Sequence, residues 1–147
     1  MPGPKNRIKA LEIQSIVAPL FAYKGYHSTS MREIARELGM NQSSLYHYFK
    51  SKEDILFELM NDALDNALTT LEEICAADIQ PRDKLYNIAH FYTRYYAGAP
   101  ERLILLVNEQ NSLNTEHRHI LVEKQRRYVC IFKDVFAELD AHGLTKE

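Results

Sequence analysis

The sequence predicts an all-α protein. Apolar residues recur three and four positions apart along most of the chain. No stretch alternates apolar and polar with the period of two that a half-buried strand requires. Helix-boundary residues also fall where the apolar stripes begin and end: Ser30, Asn41 and Ser51 at starts, Gly25, Gly98 and Gly143 at stops. At 147 residues and 46% hydrophobic content, the chain can bury the cores of one or two small domains.

Taken in order, residues 1–6 hold two prolines and a glycine and read as a flexible arm. The first helix is expected from about Arg7 to Lys24, with Gly25 as its stop. Pro19 falls inside it and should kink or break it, because proline removes a backbone donor and crowds the preceding turn. Ser30 with Glu33 forms a capping box that opens the second helix, whose apolar stripe is Ile34, Ala35 and Leu38. Gly39 allows the positive φ of a tight turn. Asn41 caps the third helix, which should run through Leu45 and Phe49. Ser51 caps the fourth, with Asp54 completing a Ser-x-x-Asp variant of the box. The stripe Leu56, Leu59, Met60, Ala63, Leu64, Ala67, Leu68, Leu71 and Cys75 is long enough to join two domains as one helix. Pro81 starts a fifth helix, about Arg82 to Ala97, which Gly98 and Pro100 end. The sixth runs from Glu101 to about Asn108, and its apolar run from Leu103 to Val107 predicts burial on most sides. The seventh begins near Thr115 and runs to about His142.

The second and third helices with their glycine turn form a helix-turn-helix, whose second helix can enter the DNA major groove. Two short helices around a glycine are common in helical proteins, so spacing alone does not make the assignment. The polar residues do. Gln42, Ser43, Ser44, Tyr46, His47 and Tyr48 occupy the non-core faces of the third helix, Lys50 and Lys52 follow, and no acid lies between Glu37 and Glu53. These are donors and cations of the kind that meet phosphates and base edges.

The same stretch resembles a family. Gly25, Tyr26, Thr29 and Ser30, then Ile34 to Met40, then Ser44 to Leu56, follow the pattern of the DNA-binding domain of TetR-type transcriptional regulators. The match covers roughly residues 7–60. Beyond it the likeness is architectural, to an all-helical ligand-sensing domain. The implied organisation is a three-helix helix-turn-helix domain over residues 1–52 and a helical ligand-binding and dimerisation domain over residues 53–147. The resemblance implies that Ser44, Tyr46, His47, Tyr48 and Lys52 hold the phosphate backbone, with double-stranded operator DNA as partner. It also implies two further helices after the seventh, forming the dimer interface. This chain stops at Glu147, so a truncated form or a divergent homodimer is expected, with Leu103, Leu106, Ile120, Leu121 and Phe136 as candidates for an interface on the sixth and seventh helices.

Charge distribution agrees with one-ended contact to a polyanion. Residues 1–52 carry eight basic and three acidic side chains, a net +5, against −7 for the remainder, although the whole chain is only −2. Cys75 and Cys130 both lie in apolar helical patterns and are expected to be buried free thiols, as suits a reducing cytoplasm. No apolar run follows the basic N-terminus as a signal peptide requires, and none reaches the length of a membrane span.

Candidate sites follow. Gln42 and Ser43 open the recognition helix, where side chains reach base edges; glutamine can pair bidentately with adenine. Ser30, at the neighbouring helix start, joins Ser44, Tyr46, His47, Tyr48 and Lys52 as a DNA-facing candidate. Lys52 also sits in a helical first turn, where backbone amides favour an anion. Lys5 and Arg7 could reach a minor groove or belong to an unstructured arm. In the second domain, Tyr92, Tyr95, Tyr96, Tyr128 and Phe132 can line a pocket between the fifth and seventh helices or simply form core. The resemblance implies a small, largely apolar effector there, with Arg94, Asn108, Glu109 and Asn111 as rim candidates. His117 and His119 point to different helix faces, and no ligand set completes them at recognisable spacing, so no metal or cofactor is expected. No nucleophile elbow, phosphate loop or paired-carboxylate motif supports an enzyme. The reading is a ligand-responsive DNA-binding regulator. Its rival is a helical protein-interaction module that keeps the motif without binding DNA, and salt-dependent duplex binding separates the two.

Overall fold

The computed structural model describes residues 12–141, and no strand occurs among them. The arm with Lys5 and Arg7, the start of the first helix, and the stop at His142 and Gly143 lie outside the described residues.

The first helix, α1, covers residues 12–25 and stays helical through Pro19, which has φ −60° and ψ −38°. The expected break does not occur, because the helix is wound wide on either side, over Ile13–Val17 and Leu20–Gly25. Ala18 donates to the carbonyl of Ile13, five residues back instead of four. That looser register accommodates the missing proline donor and relieves its ring against the preceding turn. Gly25 then leaves the helix at φ +106°, a conformation that favours glycine. Thr29, fully buried, donates its hydroxyl to the Gly25 carbonyl at 2.9 Å and ties the next turn down.

Local capping builds the next three helices. Helix α2 is Met31–Glu37, and the Ser30 hydroxyl accepts the Glu33 N–H at 3.2 Å. The Glu33 carboxylate turns away to Lys24 and Arg36. Gly39 makes the turn at φ +66°. Helix α3 is Gln42–Tyr46, capped by the Asn41 carboxamide oxygen on the Ser44 N–H at 2.7 Å. It ends three residues before Phe49, short of the expectation, because the Leu45 carbonyl takes both the Tyr48 and Phe49 N–H groups as the chain tightens into a turn. Helix α4, Lys52–Ala76, starts on the Ser51 cap, whose hydroxyl accepts the Asp54 N–H at 3.1 Å. At 25 residues it extends ~37 Å and is the spine of the molecule.

Helices α5 (Pro81–Ala97), α6 (Glu101–Asn108) and α7 (Thr115–Ala141) pack around that spine. Pro81 is itself the first residue of α5, where its missing N–H costs nothing. The N-terminal side-chain cap of α7 is Asn114, whose oxygen accepts the His117 N–H at 2.8 Å; Thr115 is the first helical residue. One core runs from Val17, Phe21, Ile34 and Leu45 through Ile55, Leu56 and Met60 to Leu105, Leu106, Leu113 and Leu121. A second, farther along α4, gathers Leu71, Ile88, Val135 and Leu139.

Several expectations need correction. Only Leu105 and Leu106 of α6 are buried, while Leu103 and Val107 are exposed, because a short helix packed on α1 and α4 turns one face outward. Leu106 and Leu121 are core residues and cannot form an external interface; Leu103 and Phe136 are exposed as required, and Ile120 is half-buried. Cys130 is exposed on the outer face of α7, and Cys75 is only half-buried.

Candidate functional site

Helix α3 presents a single apolar plug, and its remaining surface is polar. Leu45 is 1% exposed, whereas Gln42, Ser43, Tyr46, His47 and Tyr48 are exposed and Ser44 is half-buried. Tyr46 and Tyr48 are about half exposed. Gln42 opens α3 and lines a broad cleft together with Lys24, Ser30, Arg32, Arg36 and Asn41. The Ser30 hydroxyl already serves its cap.

Lys52 is placed differently from a simple surface cation. Its ammonium donates to the Tyr26 carbonyl at 2.7 Å and lies 4.2 Å from the centroid of the Tyr26 ring. Burial lowers its pKa, opposed by the charge of Glu109. One of its three donors is thereby committed, which anchors the α3–α4 turn to the end of α1. The Tyr26 phenol is pushed up to about 12, first by burial and then by Glu53, Glu109 and Asp54.

Sequence reasoning missed the polar junction beside this turn. Glu53 accepts the Asn114 backbone N–H at 3.0 Å and its side-chain N–H at 3.1 Å, and lies 2.9 Å from His117 Nδ1. The His117 ring stacks on Phe57 at 3.8 Å with 5° between planes. The start of α4 is thus joined to the start of α7. Asparagine before Thr115 was the available signal, as an N-cap. Glu53, Asp54 and His117 bring ligand-type atoms within 4.8 Å of one another. Sequence spacing hid that set, because more than sixty residues separate the carboxylates from the histidine. The bonds to Asn114 and the Ser51 hydroxyl, 2.9 Å from Asp54, already account for the arrangement.

The aromatic residues of the second half divide into two groups. Tyr92, Tyr96 and Tyr128 line a groove of about 350 Å³ with Leu64, Leu106 and Val107. Tyr95 and Phe132 do not line it. Tyr95 turns to the spine, donating its hydroxyl to the Ala63 carbonyl at 3.1 Å beneath the Arg102 guanidinium, 4.3 Å from its ring. Phe132 packs against the second core. Gln110 and Gln125 supply the polar lining in place of Arg94, Asn108, Glu109 and Asn111, which do not line the groove. Burial raises the Tyr128 phenol pKa, so it stays a neutral donor. The Tyr92 hydroxyl is buried without a hydrogen-bond partner among the described residues.

Two family models match the chain. Residues 18–59 match the model described as bacterial regulatory proteins, tetR family, and residues 78–147 match a tetracyclin repressor-like C-terminal domain. The fatty acid metabolism regulator protein of Bacillus subtilis (strain 168) is 27% identical over 143 residues, covering 97% of this chain and 74% of that protein. The HTH-type transcriptional repressor KstR2 of Rhodococcus jostii (strain RHA1) is 31% identical over 128 residues, covering 87% of this chain; the chain spans 59% of that relative. Among solved structures, AibR in complex with isovaleryl coenzyme A and operator DNA superposes with a TM-score of 0.80 at 26% identity, covering 94% of this chain and 75% of that one.

Proposed function

This chain belongs to the tetR family of bacterial regulatory proteins, and we propose that it is a one-component transcriptional repressor, released from operator DNA by a small, largely apolar effector. The observation that carries the reading is the division of α3 and the turn after it: Leu45 sealed in the core, Gln42, Ser43 and Tyr46 of the helix and His47 and Tyr48 of the turn exposed. Such a polar outer surface matches the groove-reading element of a helix-turn-helix. Gln42 and Ser43 read base edges. Ser30, Ser44, Tyr46, His47, Tyr48 and the two uncommitted donors of Lys52 hold phosphates.

Helix α6 links the two functions. Leu106 and Val107 face the groove, while the same helix packs on α1 and α4. An effector that spreads the groove moves α6, and α6 moves the first helix of the DNA-binding head. The effector shifts the equilibrium only by its different affinity for the two arrangements. Its class follows from the lining: an apolar group with one oxygen able to accept from the orphaned Tyr92 hydroxyl. An acyl thioester fits that description, and the relative AibR is solved with isovaleryl coenzyme A. The protein acts by binding, as a homodimer in the cytoplasm, two heads meeting a two-fold operator. Leu103, Val107, Val129 and Phe136 are the exposed apolar residues of α6 and α7 open to a partner copy. No helix among the described residues is long and apolar enough to cross a membrane.

Fluorescence anisotropy on a duplex chosen by selection from random DNA tests the reading. Saturable binding that isovaleryl coenzyme A or a longer acyl thioester reverses is expected. Failure to select any duplex at low salt would overturn it in favour of a protein-interaction module.

A further inference from the structure

Helix α6 lies between two cavities. Leu106 and Val107 line the aromatic groove. A second cavity, of about 280 Å³, lies where α6 meets α1 and α4, at the joint between head and body. Its apolar part is Ala18 of α1, Leu59 and Ala63 of α4 and Leu105 of α6, all buried. Its polar part includes Gln14, Glu101 and Arg102. Glu101 and Arg102 are adjacent in the chain, yet neither forms an ion pair among the described residues. Arg102 is held in place, because its guanidinium donates to the Tyr95 carbonyl at 3.0 Å and lies 4.3 Å from the Tyr95 ring. That bond uses one N–H of a fork that carries several more. The Gln14 side chain hydrogen-bonds the Asp62 carboxylate, which brings a further acid to the edge of the cavity.

We propose that this cavity binds a small aliphatic α-amino acid. The ligand carboxylate meets the remaining N–H groups of Arg102, and its ammonium donates to Glu101. The aliphatic side chain lies on Ala18, Leu59, Ala63 and Leu105. A ligand with one charge would pair only one of the two unpaired groups and leave the other partly desolvated beside it, whereas a zwitterion pairs both. At about 30 Å³ for each water-sized group, the space holds ~9 heavy atoms, the size of leucine or methionine. The occupant touches α1 and α6 together and so braces head against body. It should tighten DNA binding and oppose an effector that spreads the groove on the other side of α6. That regulatory role rests on the DNA-binding reading above; the site itself does not.

Isothermal titration calorimetry of the full chain with L-alanine, L-valine, L-leucine and L-methionine tests the site. Alongside them run 4-methylpentanoate and isopentylamine, each of which keeps only one of leucine's two charges. Saturable binding of leucine or methionine is expected, with both single-charge analogues weaker by roughly 10- to 100-fold. Glu101→Gln should weaken leucine by a similar factor and leave 4-methylpentanoate unchanged. Ala99→Leu, in the loop before α6, fills the cavity and should abolish binding of both while circular dichroism and melting match wild type. Three results overturn the proposal: no amino acid of the set saturates, a single-charge analogue binds as tightly as leucine, or Ala99→Leu binds leucine like wild type. In fluorescence anisotropy, saturating leucine should raise affinity for the selected duplex, and an unchanged or lowered affinity overturns the bracing role. If wild type binds no duplex, the DNA-binding reading falls, while the calorimetry still decides the site.

Discussion

Replacing Tyr92 with phenylalanine should stabilise the free protein and weaken its effector complex, two effects of opposite sign from one oxygen atom. The Tyr92 ring is packed against Tyr96 at 5.5 Å, Tyr128 at 5.6 Å and Phe132 at 5.7 Å between centroids, and phenylalanine keeps every one of those contacts. Only the hydroxyl goes, and it is buried with no partner among the described residues. A buried donor left unsatisfied costs about 1–3 kcal/mol, so Tyr92→Phe should gain ~1–2 kcal/mol after the slightly larger void is counted. For a chain of this size that raises the melting temperature by about 3–8 °C. Urea unfolding followed by circular dichroism measures the gain in the absence of ligand. The effector arm runs the other way: the acceptor on the ligand loses its donor, and affinity should fall by ~1–2 kcal/mol, or roughly 5- to 30-fold. A variant less stable than wild type by more than ~0.5 kcal/mol would refute the reasoning, because it would mean the hydroxyl is satisfied in the free protein.

Three further outcomes follow from the same contacts. Lys52→Ala should weaken binding to all duplexes alike, lower the salt slope by about one, and loosen the α1 end that its bond to Tyr26 holds; salt titrations on two unrelated duplexes check the uniformity. Glu53→Ala removes the acceptor for both Asn114 donors and the His117 partner, and should cost ~1.5–3 kcal/mol by urea unfolding, with a cost near zero counting against the junction as a structural tie. The Asp62 carboxyl is raised foremost by burial and then by Asp65, against the opposing Gln14 and Lys124. Its contribution to stability is therefore full below the unfolded carboxylate pKa and lost as pH rises through the higher folded value. Asp62→Asn should accordingly raise the urea midpoint at pH 7, with the gain shrinking as pH falls through the carboxylate range; a lower midpoint at pH 7 contradicts the sign.

What could be read in the sequence was mostly what is local. The Ser30, Asn41 and Ser51 caps are each bonded to the N–H three residues on, so three-residue spacing suffices to recognise them. The spine α4 and its buried stripe follow from 3.6-residue periodicity, which long stretches report well. Contacts across the fold were not legible. Glu53 and Asn114 are 61 positions apart, and neither carries a pattern that points to the other. Lys52 reads as a free surface cation because nothing in its neighbourhood announces the Tyr26 carbonyl 26 residues earlier. The same limit explains Leu106 and Leu121, assigned to an outer face when their partners come from α1 and α4, and Tyr95, whose hydroxyl belongs to the Ala63 carbonyl of the spine. Composition marks a residue as apolar or aromatic, but only the packing of helices decides whether a face meets core, groove or solvent.

The central claim, that the helix-turn-helix end of this chain grips a DNA duplex, is tested most directly by equilibrium binding to a fluorescent duplex over a series of potassium chloride concentrations. Phosphate contacts release condensed counterions, so the logarithm of the binding constant should fall linearly with the logarithm of salt concentration. Lys52 supplies one phosphate-neutralising cation in each head and predicts a negative slope of about two for a two-headed complex, with Tyr46, His47 and Tyr48 adding phosphate contacts that release no counterion. A flat salt dependence, or no saturable binding at the lowest salt, would contradict the account and leave the motif as a helical scaffold without a nucleic-acid partner.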